Sequence, residues 1–165
     1  MKLIFLLFIG MLIGWSNTSQ AQTDPTCIHP DRERNLHLLD SLITATEEQE
    51  VKESLIYQKS VLQLKSGQYY AAYTTGLSCT GKYEKDGTYI AAKSVAALAN
   101  SCGESTFERK CNFIYAAQLA EEAGQPNAAA SYRASGPKQG SCDESDKKPV
   151  LLNCWGVVVS VCAHL

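Results

Sequence analysis

Seven cysteines carry most of the chemistry that can be read from this chain: Cys27, Cys79, Cys102, Cys111, Cys142, Cys154 and Cys162. No pair of them is spaced C-x-x-C, the spacing of thiol–disulfide catalysts and of many zinc sites. Cys27 and His29 stand two apart, but a zinc site needs two further ligands at workable spacing and none is close. The sequence therefore predicts no metal and no cofactor, and reads the cysteines as disulfide halves. Seven is odd, so one is left free, pairs with another chain or belongs to a segment that is removed, and six cysteines allow fifteen pairings. If the helices around Cys102 and Cys111 are antiparallel neighbours, these two lie near one end, and Cys102–Cys111 is the expected bridge. Cys79 falls at the opposite end.

Other reactive residues form no recognisable constellation. The histidines are His29, His37 and His164, and the chain has no H-E-x-x-H, no G-x-S-x-G and no phosphate-binding Walker loop. Glu47, Glu48 and Glu50 could supply a carboxylate pair for glycoside cleavage. Acids at a helix start also favour the helix dipole, and that reading is preferred. Glu121 and Glu122 near a helix end read as solvated surface. The chemistry points away from an enzyme, with a small secreted carboxylate-dependent hydrolase as the alternative. The best binding candidates are Tyr69, Tyr70 and Tyr73. Tyrosine suits both cores and interfaces because it has an apolar body and a polar tip. Tyr69 and Tyr73 share one helix face while Tyr70 turns away, so one face reads as core and the other is the candidate contact surface, with core packing alone the preferred reading.

The compartment follows from the N-terminus. Lys2 precedes the apolar run Leu3–Trp15, and small residues at Ser19 and Ala21 precede Gln22. This is the order of a signal peptide over residues 1–21, with a run too short to span a bilayer comfortably. Cleavage leaves 144 of 165 residues, enough for one domain with a core. The remaining 14 basic and 17 acidic residues are interspersed. A weakly negative, mixed surface argues against nucleic acid, which requires clustered basic charge. A secreted or periplasmic location and an oxidising environment follow.

The elements that must position these residues are helices. Leu36, Leu39 and Ile43 are spaced by three and four, predicting a first helix over 31–45. Thr46 and Gln49 form a capping-box pattern for a second, ending at Lys65. Gly67 is a natural stop, and a third helix runs over 68–79. Residues 80–87 read as a loop and 88–101 as an alanine-rich fourth helix. Ser105 and Glu108 form a second capping box for a helix running to Ala123. Gly124 stops it, and Pro126 opens a short helix to Ser135. Residues 136–149 read as a polar linker or loop, and 150–165 as a hydrophobic C-terminal segment. Its valine-rich run fits a buried strand, a short buried helix or a membrane-directed tail.

The stretches "LKSGQYYAAY", with Gly67, Tyr69 and Ala72, and "YAAQLAEEAGQPNAAASYRAS", with Ala117, Gly124, Ala128 and Tyr132, resemble tetratricopeptide-type helical hairpins. In that family a glycine ends the first helix and a small residue lets the second approach. The two glycines are 57 residues apart, which does not fit the 34-residue period. The expected fold is all-α: a disulfide-stapled bundle, or short array, of antiparallel helical hairpins, with an irregular or hydrophobic C-terminal segment. The expected role is protein binding by surface contact, as an inhibitor, immunity-type or envelope-assembly partner. A second alternative is a surface-anchored cysteine-rich domain, since small residues at 140–142, a polar spacer and an apolar tail resemble a lipid-anchor signal. A membrane is involved only if the N-terminal segment stays uncleaved or the tail signals an anchor.

Overall fold

The computed structural model describes residues 30–138 and 149–161. The expected signal segment over residues 1–21, Cys27, His29, Cys142, Cys162 and His164 lie outside the described residues. Among those described are six α-helices and one two-stranded sheet: α1 (Pro30–Ala45), α2 (Gln49–Lys65), α3 (Tyr69–Leu77), α4 (Glu84–Leu98), α5 (Thr106–Glu122), α6 (Pro126–Ser135), β1 (Val150–Leu152) and β2 (Val157–Val159). The chain is all-α in class, as its periodicity predicts, with a small β-hairpin at the C-terminal end.

Each helix packs on the next, α1 on α2 through to α5 on α6, and α2 also meets α4. Two of the turns follow one design. Gly67 and Gly124 take positive φ of 74° and 73° just past α2 and α5. The amide of Gln68 then reaches back to the Gln63 carbonyl (2.9 Å), and that of Gln125 to the Ala120 carbonyl (2.8 Å). These bonds satisfy carbonyls that a helix end otherwise leaves open, and they turn the chain into the next helix at once.

The core is built from small residues. Ala72, Ala91, Ala92, Ala116, Ala117, Ala120 and Ala129 are buried, together with Val95, Ile114 and Leu119. Helices α3 and α4 approach tightly at Gly76 and Gly87. A Cβ on Gly87 would stand 2.4 Å from the Gly76 carbonyl oxygen and 2.5 Å from the Cys79 Cβ, so only glycine permits this approach.

Several expectations are corrected. The Thr46/Gln49 capping box does not form: the Thr46 hydroxyl donates back to the Leu42 carbonyl (2.6 Å), and Glu48 occupies the N-cap of α2 with no side-chain bond. Residues 80–87 are not a loop. A 3-10 turn over Gly81–Tyr83 leads straight into α4, which starts at Glu84. Gly87, the last residue of that stretch, lies inside α4 and is a helix-packing residue. Of the three forms open to the valine-rich C-terminal run, the described residues take the strand, as an antiparallel hairpin with Val150 opposite Val159 and Leu152 opposite Val157. The bridge is Cys102–Cys154, not Cys102–Cys111. The hairpin returns the chain to the start of α5, where Cys154 reaches Cys102 with their Cα atoms 6.0 Å apart. Cys111 is buried one and a half turns further along α5.

Candidate functional site

The hairpin gathers the aromatic residues. Residues 153–156 form its turn, where the amides of Trp155 and Gly156 both point to the Leu152 carbonyl (3.0 and 2.9 Å). Gly156 has φ 66°, which closes the turn without strain on a side chain. The turn drives Trp155 inward. Its ring lies 5.0 Å from that of Tyr70 and 4.6 Å from that of Tyr73, both on α3. Tyr73 meets Tyr115 of α5 edge-on, and their hydroxyls are 2.8 Å apart. Burial and this bond to Tyr73 push the Tyr115 phenol above its ordinary pKa, which favours the neutral hydrogen-bonding form.

One buried amide ties this cluster to the disulfide. Asn112, fully enclosed on α5, accepts from the Trp155 indole N–H (2.8 Å). Its own amide donates to the Cys102 carbonyl (2.7 Å) and toward the Glu108 carbonyl (3.0 Å). The end of the α4 segment, α5 and the hairpin turn thus meet on one side chain. No sequence pattern marked Asn112, because its partners lie in three separate elements.

The three tyrosines separate. Tyr73 belongs to the internal cluster. Tyr69 is half-buried and outside it. Tyr70 is 51% exposed although its ring covers Trp155, so it presents an aromatic face to solvent over a buried indole. On the hairpin, Val150, Leu152, Val157 and Val159 lie toward the helices. Leu151 and Val158 are directly opposite each other on the outer side, 54% and 63% exposed. Sequence reading missed this pair because it depends on the strand register.

The ionisable residues do not converge. Glu50 pairs with Lys82, whose hydrogen bond and charge lower the Glu50 carboxyl from its ordinary range. Glu121 pairs with Arg133, and Lys59 with Asp40. Glu47, Glu48, Glu122 and His37 are exposed. A small cavity of about 150 Å³ lies between the hairpin and the start of α5, with Glu104 and Glu108 at its wall. The Glu108 carboxylate accepts the amides of Glu104 (2.7 Å) and Ser105 (3.1 Å), while the Ser105 hydroxyl accepts the Glu108 amide (3.1 Å). This is the second predicted capping box, and it commits that carboxylate to helix ends. Cys79 is buried against α4 at the far end from Cys102; burial raises its thiol pKa, opposed by a hydrogen bond with Ser60. Among the described residues, no group of three or more His, Cys, Asp or Glu is placed to hold a metal, and no helix is long and apolar enough to cross a membrane.

Comparisons of the chain with protein-family models, with curated proteins and with solved structures found no match.

Proposed function

We propose that this chain is an exported helical protein, secreted or periplasmic, that works by surface contact with another protein of the inhibitor, immunity-type or envelope-assembly kind. The observation that carries this reading is the outer side of the hairpin region. Leu151 and Val158 stand paired and solvent-facing, and Tyr70 lies half-open over a buried Trp155. Aromatic and aliphatic groups held on a rigid support lose little side-chain freedom on binding, and so contribute disproportionately to interface affinity. The support here is rigid by construction: the hairpin is fixed by the Cys102–Cys154 bridge and by the Asn112–Trp155 bond.

Export is supported by the N-terminal address segment in the sequence. A disulfide is compatible with an oxidising compartment. Of the carboxylates considered for hydrolysis, Glu50 is held in an ion pair with Lys82 and Glu47 and Glu48 lie on open surface, so the hydrolytic alternative gains no support from geometry.

Site-specific photo-cross-linking tests the reading. A benzophenone amino acid is placed at Val158, and for comparison at the exposed Ser131 of α6, in the chain expressed with its own N-terminus in its host. The expected result is one discrete protein adduct at Val158, lost when Tyr70→Ala and Leu151→Lys are added. Equal adduct patterns at the two positions, or adducts indifferent to those substitutions, would overturn it.

A further inference from the structure

At the other end of the array α1 is under-packed. Of residues 31–45 only Leu36 is buried, with Leu39 and Ile43 half-buried beside it. A sixteen-residue helix is marginal by itself in water and takes its stability from the apolar face it buries. Yet α1 carries further apolar side chains that point away from the other described helices: Leu38 is 58% and Leu42 42% exposed. Leu38 and Leu42 are four apart and Leu39 and Leu42 three apart, so the three form one continuous strip. Leu39 is also part of the wall of a cleft of about 390 Å³ between α1 and α2, completed by Tyr57, Val61, Leu62 and Lys65. The outermost helix of a stacked array normally shows water a polar face. This one shows a groove with a leucine rim.

We propose that this groove is a homodimer interface, in which α1 of a second copy lies antiparallel along α1 of the first. Charge decides in favour of a second copy. Arg32, Arg34 and Lys65 lie at one end of the α1–α2 pair, and Glu47 and Glu48 at the other, where Glu50 is already paired with Lys82. Asp31 and Glu33 share the first turn of α1, where they complement its own N-terminal amides. A two-fold axis near Asp40 sets Leu38 of one copy on Leu42 of the other. It also brings Arg34 of each copy next to Thr46 and Glu47 of its mate. A parallel arrangement would instead stack like charges. Among the described residues, neither Arg34 nor Glu47 makes an ion pair within its own chain. The segment preceding α1, "QTDPTCIH", is a poor occupant: beyond Ile28 and Cys27 it offers little apolar surface for three leucines. Two-fold pairing of one surface with itself is also the commonest closed assembly. The interface shares no residue with the hairpin surface, so it stands or falls separately from the proposed function.

Sedimentation velocity over a series reaching the millimolar range tests it, on the chain expressed from its own N-terminus with its processed mass first determined. The expected result is twice the chain mass for the wild type. Leu38→Asp with Leu42→Asp should give the single-chain mass with unchanged helical circular dichroism. Because that variant could also disturb α1, a charge pair provides a second arm. Arg34→Glu and Glu47→Arg should each raise the dissociation constant on the order of tenfold, and the two together should restore it. A wild type of single-chain mass throughout the series overturns the proposal. So does a dimer that survives the leucine substitutions, or charge reversals that add instead of cancelling.

Discussion

Asn112 joins the hairpin turn to α5 and to the end of the α4 segment, and replacing it by alanine measures what that link is worth. The wild-type amide satisfies the Trp155 indole N–H and the Cys102 carbonyl, and it is 1% exposed. Alanine leaves both partners buried without a bond. Each stranded group costs about 1–3 kcal/mol, since water cannot replace the lost partner there. The smaller side chain adds the loss of packing contacts around it. A total of about 3–5 kcal/mol is expected, a large share of the 5–15 kcal/mol typical of a whole domain. Urea unfolding followed by helical circular dichroism reads this directly, and Trp155→Phe supplies the cycle. Phenylalanine keeps an aromatic ring against Tyr70 and Tyr73 but removes the N–H donor. The double variant should therefore lose less than the sum of the singles. Asn112→Asp adds a pH signature. A buried carboxylate facing the Cys102 and Glu108 carbonyls has its folded-state pKa raised above the ordinary value of about 3.9. Its deficit against wild type should then be smallest below that pH, growing as pH rises through the raised value. A loss under about 1 kcal/mol for Asn112→Ala, set against the penalty for stranding two groups, would refute the reasoning, as would strictly additive effects in the cycle.

Three further outcomes follow from the packing. Gly87→Ala would ordinarily favour a helix interior, but here it should destabilise by about 1–3 kcal/mol in urea titration, because the new methyl meets the Gly76 carbonyl and Cys79 at 2.4–2.5 Å. Cys154→Ser opens a bridge between residues 52 apart in sequence; chain entropy predicts a loss of about 4 kcal/mol, read as a lower urea midpoint that matches the reduced wild type. The Cys79 thiol should resist iodoacetamide in the folded protein and react promptly in denaturant. Because its folded pKa is raised, the stability it contributes holds at neutral pH and declines only as pH rises through the thiol range, which alkaline urea titrations will show.

What the sequence disclosed was local. Ser105 and Glu108 are three residues apart and complete one another's bonds, so their box could be read from two letters. Gly67, Gly124 and Pro126 mark helix ends by backbone conformation alone, and α6 runs over the residues that Pro126 predicts. Thr46 and Gln49 show the same spacing as Ser105 and Glu108 and fail. The Thr46 hydroxyl finds a carbonyl one turn back in α1, and which bond wins depends on where the preceding helix stops. The stretch 80–87 reads as a loop because a glycine that breaks a helix and one, like Gly87, that admits a neighbouring helix look alike until the neighbour is in place. The tyrosines were visible as a cluster, but their division was not: Tyr73 is internal and Tyr70 half-open only because Trp155 arrives from a hairpin more than eighty residues away in sequence.

That hairpin explains why the final stretch resisted reading and why the binding surface was found only with the fold. Strands of three residues have almost no intrinsic stability, and an isolated two-stranded hairpin is marginal in water. Its conformation is therefore set by what it lands on. Trp155 needs the Tyr70–Tyr73 face of α3, Cys154 needs Cys102 after α4, and the indole N–H needs Asn112 on α5. Once those three contacts fix the turn, the two-residue alternation leaves no freedom: Leu152 and Val159 must face inward and Leu151 and Val158 outward. The exposed apolar pair is thus a consequence of the buried contacts. A substitution at Asn112, which is hidden from solvent, should disturb binding at a surface it never touches, and loss of adduct at Val158 in Asn112→Ala would distinguish a surface held by the core from one that folds on its partner.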